Sequence, residues 1–191
     1  TSVPRDFVEA PSQMLEEWVW DTEILNRFAG HYEDRSKKID PDVLARMEEA
    51  KLATIGTFYR RQLGFALSDL RMHDAGAYKD AQEICNRTMA EIFLAPPEGT
   101  HFAAYWGHLA GYDAGYYGYA WADAIAADMA TAFESAPRRF LDRRVGMRLR
   151  NEIYGVGGSR DAEESIEAFL GRERSIEPFL KSLGIDQPGG R

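Results

Sequence analysis

Asp42-Val-Leu-Ala-Arg-Met-Glu-Glu-Ala-Lys51-Leu-Ala-Thr-Ile-Gly-Thr-Phe-Tyr-Arg-Arg61-Gln-Leu-Gly-Phe-Ala-Leu-Ser-Asp-Leu70 is the stretch on which the fold class turns. Ala, Leu, Met, Glu and Arg dominate it, side chains that lose little rotamer freedom in a helix, and no Pro interrupts it. The spacing predicts a helix starting at Asp42 and running through Leu44 and Met47. A longer apolar run from Leu52 through Phe58, Leu63, Phe65 and Leu70 reads as a core helix.

The same composition recurs on both sides and strand signals are scarce, so the expected class is all-α. Upstream, a helix is expected from Pro4 to about Trp20, with Phe7, Met14, Leu15 and Trp18 near one face. Pro11 removes a backbone donor, so this is one irregular helix or two helices meeting there. Asp21 can cap a continuation through Ile24, Leu25 and Phe28, which Gly30 would end. The charged stretch from Glu33 to Pro41 reads as a surface loop. Downstream, a helix is expected from Asp80 to Phe93, and Pro96, Pro97 and Gly99 then break the chain. An aromatic and Gly-rich stretch, His101 to Tyr119, leads into an Ala-rich helix ending near Ser135 and Pro137.

Arg138, Arg139, Arg143, Arg144, Arg148 and Arg150 are interleaved with apolar residues and read as a solvated helix face with internal ion pairs. Gly155, Gly157 and Gly158 mark a turn, with Ser159 as the expected N-cap of a helix through Ile166, Phe169 and Leu170. A last short helix ends near Leu183.

The 191 residues, 45% hydrophobic and 12% aromatic, suffice to bury a core. A formal net charge of -8 argues against a nucleic-acid surface, which needs clustered cations. No apolar run is long enough to span a bilayer, so no membrane partner is expected. Cys85 is the single cysteine, which removes any intrachain disulfide and makes a reducing, cytoplasmic location the expectation. The chain opens on Thr1 rather than Met, and truncation from something longer is the working hypothesis.

His31, His73, His101 and His108 are scattered, and none forms a His-Glu-x-x-His zinc helix. A nucleophile elbow, a paired-cysteine metal motif and a dinucleotide fingerprint are also missing. Two segments stand out. In Asp6-Phe-Val-Glu9-Ala-Pro-Ser12-Gln13, Asp6 and Glu9 share one helix face beside apolar neighbours. The plain alternative is an N-terminal helix turn whose acids favour the positive end of the dipole. In His108-Leu-Ala-Gly111-Tyr112-Asp-Ala-Gly115-Tyr116-Tyr117-Gly118-Tyr119, helical spacing would line His108, Tyr112, Tyr116 and Tyr119 along one side. The glycines favour reading part of it as a loop open to close backbone approach. An aromatic core stripe between helices is the alternative.

These two segments, in this order, resemble the zinc oligopeptidase family that includes thimet oligopeptidase, neurolysin, oligopeptidase A and dipeptidyl carboxypeptidase. Trp121-Ala-Asp123, Asp128-Met129 and the block from Gly157-Gly-Ser-Arg-Asp161 to Phe169-Leu-Gly-Arg-Glu173 are similar to the same family. The resemblance implies that residues 1–191 form the multi-helix C-terminal portion of a zincin-like catalytic domain. In it, a third-ligand helix lies near 4–20, a substrate loop near 101–119 and C-terminal helices near 159–183. It implies that Glu9 is a zinc ligand, with Asp6 a candidate to orient it. Tyr119 is implied as the oxyanion donor, and His108, Tyr112 and Tyr116 as substrate-binding residues. The two His ligands and the catalytic Glu would lie upstream of Thr1.

Relatives usually carry two glycines before the first tyrosine, whereas here Gly111 alone separates Ala110 from Tyr112, so the register of His108 depends on that gap. Trp106 stands where an aromatic of another size is commoner. The implied partners are short peptide substrates and the upstream part of the same domain. The isolated chain is expected to be inactive, to bind zinc weakly, and to self-associate through a face left uncovered. The competing hypothesis is a helical peptide- or protein-binding module without a metal centre.

Overall fold

A computed structural model describes residues 2–76 and 78–185. In chain order its α-helices are α1 (Arg5–Val8), α2 (Ala10–Leu15), α3 (Thr22–Phe28), α4 (Pro41–His73), α5 (Ala81–Ile92) and α6 (Phe102–Tyr105), then α7 (Tyr117–Glu134), α8 (Arg143–Leu149), α9 (Ala162–Leu170) and α10 (Glu177–Ser182). No strand occurs among the described residues, and the protein is all-α. The chain divides into two compact units, one made of Thr1–Ala53 with Ala122–Arg191 and the other of Thr54–Trp121.

The first unit is built around the apolar face of α7. Ala122, Ile125, Met129 and Phe133 recur at helical spacing and are buried with Met14, Ile166 and Phe169. Trp18 sets its ring edge-on to Phe133 at 4.8 Å and against Phe140 at 4.7 Å, and its indole N–H donates to the Phe140 carbonyl at 3.0 Å. Asp128, on the same helix, has no exposed surface. It accepts from both terminal nitrogens of Arg172 and, at 2.7 Å, from the Ser175 amide. A buried carboxylate persists only when so many donors replace its water.

The N-terminal segment is two short α-helices and a 3₁₀ turn, Glu16–Trp20, rather than one helix. The joint falls at Glu9 and not at Pro11, because Pro11 occupies the first turn of α2, where no N–H is needed. Asp21 caps α3 by accepting from the Ile24 amide at 3.2 Å, and Asp80 caps α5 through the Glu83 amide at 2.9 Å. Ser159 does not cap α9. Its hydroxyl donates to the Val156 carbonyl inside a 3₁₀ turn, so the helix starts later and Asp161 caps it through the Glu163 amide. The arginine run is exposed: Arg144 and Arg139 pair loosely with Asp142 and Asp21, each at 3.7 Å, and Arg148 lies over the Phe169 ring.

The second unit packs α5 and α6 on the later part of α4. Phe65, Cys85 and Met89 are buried, and Phe65 stacks on Phe102 at 5.0 Å. Gly64 admits the Met89 sulfur so closely that an added Cβ would sit 2.8 Å from it.

Residues 41–73 form one uninterrupted helix rather than two. Leu52, Phe58, Leu63 and Leu70, expected in the core, are exposed, whereas Leu44, Phe65, Ala66, Ser68 and Asp69 are buried. Apolar residues occur on every side of α4, so their spacing alone does not say which side turns inward. The buried side carries the polar pair.

Candidate functional site

The second unit gathers the aromatic loop onto α4. Gln62, Phe65, Asp69 and His73 fall at i, i+3, i+7 and i+11 and so share a face. Asp69 is fully buried on that face. Its Oδ1 accepts from the Ala114 amide at 2.9 Å, and its Oδ2 accepts from the Tyr116 amide at 2.9 Å. The His108 Nε2 lies 3.3 Å from Oδ2, and the His73 Nδ1 lies 3.1 Å from Oδ1. The same His73 nitrogen is 2.8 Å from the Asp69 carbonyl. A ring nitrogen facing only oxygen acceptors must carry a proton, so His73 donates from Nδ1 and His108 from Nε2.

Between these anchors the chain is largely a loop, the reading its glycines favoured. The Tyr112 amide returns to the His108 carbonyl at 2.9 Å and the Gly115 amide to the Tyr112 carbonyl at 3.0 Å. Ala114 has φ +55°, in the left-handed region that residues with a Cβ rarely adopt. The four predicted rings nevertheless converge. His108 lies 5.7 Å from Tyr112, 4.8 Å from Tyr116 and 6.2 Å from Tyr119, and Tyr116 lies 5.1 Å from Tyr119. Trp106 stacks on His108 at 5.4 Å and leans on Tyr116 at 5.3 Å, closing one side of the group.

Tyr112 is exposed, while Tyr116 and Tyr119 are half-buried. The Tyr116 hydroxyl donates to the Gln62 side-chain oxygen at 2.8 Å. Burial pushes its pKa up, the neighbouring Tyr119 adds to that, and the Arg61 guanidinium opposes it. Tyr116 is therefore a neutral phenol at neutral pH, able to donate. Arg61 spreads over the Phe65 ring at 4.9 Å.

Gln62, Asp69 and His73 were not singled out from the sequence. The available signal was Ser68-Asp69 inside an apolar helix turn, since a carboxylate there must find donors elsewhere.

Glu9 and Asp6 belong to the first unit. Glu9 sits at the joint between α1 and α2, half-buried. The Ser12 hydroxyl donates to its carbonyl at 2.8 Å and to its Oε2 at 3.1 Å. Asp6 is half-buried in the first turn of α1, beside the buried Phe7. Gly158 lies against the start of this segment, where a Cβ would meet the Ser2 carbonyl oxygen at 2.0 Å. Among the described residues no group of three or more His, Cys, Asp or Glu could hold a metal ion. A zinc site needs three protein ligands, so the described residues do not by themselves fit one. No helix among the described residues is long and apolar enough to cross a membrane.

The sequence matches Peptidase family M3 over residues 1–185. It is 38% identical to the thimet-like oligopeptidase of Dictyostelium discoideum over 97% of its own length and 28% of that protein. It is 39% identical to saccharolysin of Saccharomyces cerevisiae over 96% of its length and 26% of the yeast protein. With oligopeptidase A of Escherichia coli it shares 34% identity over 97% of its length and 28% of that protein. The chain thus spans little more than a quarter of the curated relatives it matches. On a match that takes in both the Glu9 segment and the tyrosine loop, this chain belongs to peptidase family M3.

Proposed function

We propose that this chain is part of a zinc-dependent oligopeptidase, in which it supplies one metal ligand, Glu9, and the loop that handles the peptide. The observation that carries the reading is the convergence of His108, Tyr112 and Tyr116 of one anchored loop with Tyr119 in the first turn of α7. The family match over residues 1–185 supports it. When bound by Glu9 and ligands from other residues, zinc would supply a water of lowered pKa and a Lewis acid for the peptide carbonyl. Glu9 brings a carboxylate oxygen whose orientation the Ser12 hydroxyl restrains. No His-Glu-x-x-His occurs in these 191 residues, so the remaining ligands and a base for that water would have to be supplied by other residues. Asp6 is assigned the lesser part of steadying the α1 end of the ligand segment.

Tyr119 is assigned to donate a hydrogen bond from its hydroxyl to the oxyanion that develops on the carbonyl oxygen, a contact that typically lowers the barrier by ~3–4 kcal/mol. His108, its side chain nearly buried and held through Nε2–H, is assigned a part in substrate binding as the wall against which Tyr112, Tyr116 and Tyr119 stand. Tyr112, exposed at the tip of the loop, lies along the substrate backbone. Tyr116 braces the group, because its hydroxyl is already given to Gln62. Substrates are short peptides, and the location assigned is the cytoplasm.

Hydrolysis of a quenched peptide by the intact parent tests this. Tyr119→Phe should lower kcat by ~10²-fold or more with KM little changed, because the lost bond forms only in the transition state. Wild-type kcat in Tyr119→Phe would remove the assigned role. A parent sequence that lacks a His-Glu-x-x-His segment upstream would favour the non-catalytic module instead.

A further inference from the structure

Asp69 is a fully buried carboxylate to which no step above gives work. Four donors meet on it, two backbone amides of the tyrosine loop and two imidazoles. Hydrogen bonds from a loop to a buried charge are short-range and directional, so they dictate where the loop lies. The loop also contains Ala114 at φ +55°, and a strained residue of this kind persists only where its surroundings over-determine it. The amides of Ala114 and Tyr116, both bound to Asp69, are that determination.

We propose that Asp69 is the positioning residue of the tyrosine loop. Its carboxylate holds the turn through Ala114 and Tyr116 and fixes the ring of His108, so that Tyr112, Tyr116 and Tyr119 meet a peptide as one set. His73, one turn further along α4 and a third exposed, donates to the same carboxylate from the solvent side. Fixing Nε2–H of His108 on Asp69 leaves Nδ1 as the acceptor of that ring, so Asp69 also sets the tautomer of His108. The catalytic half of this inference rests on the peptidase reading, whereas the anchoring half does not.

Asp69→Asn keeps the shape and removes the charge together with one acceptor. In the 191-residue chain, amide hydrogen exchange at Ala114 and Tyr116 should accelerate about tenfold or more, while the amides of α5 keep their rates. Unchanged exchange at 114 and 116 would overturn the proposal, as would uniform acceleration across Thr54–Trp121. Should Asp69→Asn fail to fold, exchange in the wild-type chain decides: protection of the Ala114 and Tyr116 amides comparable to that of α5 supports the proposal, and exchange at the rate of unprotected amides overturns it.

In the intact peptidase, Asp69→Asn should lower kcat by ~10²-fold through misplacement of the loop, without removing the metal. Accelerated exchange with wild-type kcat and KM overturns the positioning role. Absence of hydrolysis by the wild-type parent sinks the peptidase reading alone and leaves the exchange result standing.

Discussion

Removing Arg172 should cost the first unit more than neutralising its partner. Asp128 has no exposed side-chain surface, whereas the Arg172 side chain is 44% exposed. In Arg172→Leu the carboxylate keeps the Ser175 amide and loses both guanidinium bonds, so a charge is left buried without a cation. Such a loss costs ~3–5 kcal/mol. In Asp128→Asn the guanidinium can return to water, and the loss is that of charge-assisted hydrogen bonds, roughly 2–3 kcal/mol. For a chain of this size a kcal/mol lowers the melting temperature by about 2–4 °C, so Arg172→Leu should lose on the order of 10 °C and Asp128→Asn clearly less. The double variant Asp128→Asn/Arg172→Leu should be more stable than Arg172→Leu alone, because it no longer buries a charge. Thermal and urea unfolding followed by circular dichroism measure all three. Equal costs for the two single variants, or a double variant less stable than Arg172→Leu, would refute the reasoning.

Glu17→Gln should stabilise the chain at neutral pH. Burial raises the pKa of Glu17; Lys51 opposes that, and Glu134, Glu16 and Glu48 reinforce it. The folded state therefore disfavours the ionised form: Glu17 contributes most below the unfolded value near 4.5, and that contribution is lost as pH rises through the folded value. The melting temperature of Glu17→Gln should exceed wild type at pH 7 and match it near pH 4, and no gain at pH 7 would contradict this. Gly158→Ala places a Cβ against the Ser2 carbonyl, so the backbone that leads into α1 must move, at ~1–3 kcal/mol. Unfolding that matched wild type would show that the approach is not constraining. Phe58, Leu63 and Leu52 are about half exposed along α4, and light scattering should show the isolated chain above monomer mass. A stable monomer at high concentration would count against an uncovered face.

Much of the fold was legible because helix-forming composition and punctuation agree. Asp21 and Asp80 cap where an acceptor precedes an apolar period, and the Pro96–Gly99 break separates α5 from α6. Boundaries failed where two signals competed. Ser159 looked like a cap, but the glycines before it allow a 3₁₀ turn and hand the role to Asp161. The inward side of α4 was misread because Leu52, Phe58, Leu63 and Leu70 outnumber the polar pair Ser68 and Asp69, yet the polar pair is buried. Burial there is decided by what the loop donates to Asp69, a relation across 45 and 47 residues that no local window contains. The ring cluster was legible as residues, and the glycines pointed to a loop, but the distances between the rings were not, since they depend on bonds to Asp69 far along the chain.

The most direct test of the central claim, that Glu9 is a zinc ligand of an oligopeptidase, is the metal content and peptide turnover of the intact parent carrying Glu9→Gln. The account predicts that zinc is lost or bound at least tenfold more weakly and that hydrolysis falls with it, while Tyr119→Phe keeps its zinc and loses turnover alone. Stoichiometric zinc and wild-type hydrolysis in Glu9→Gln would contradict it.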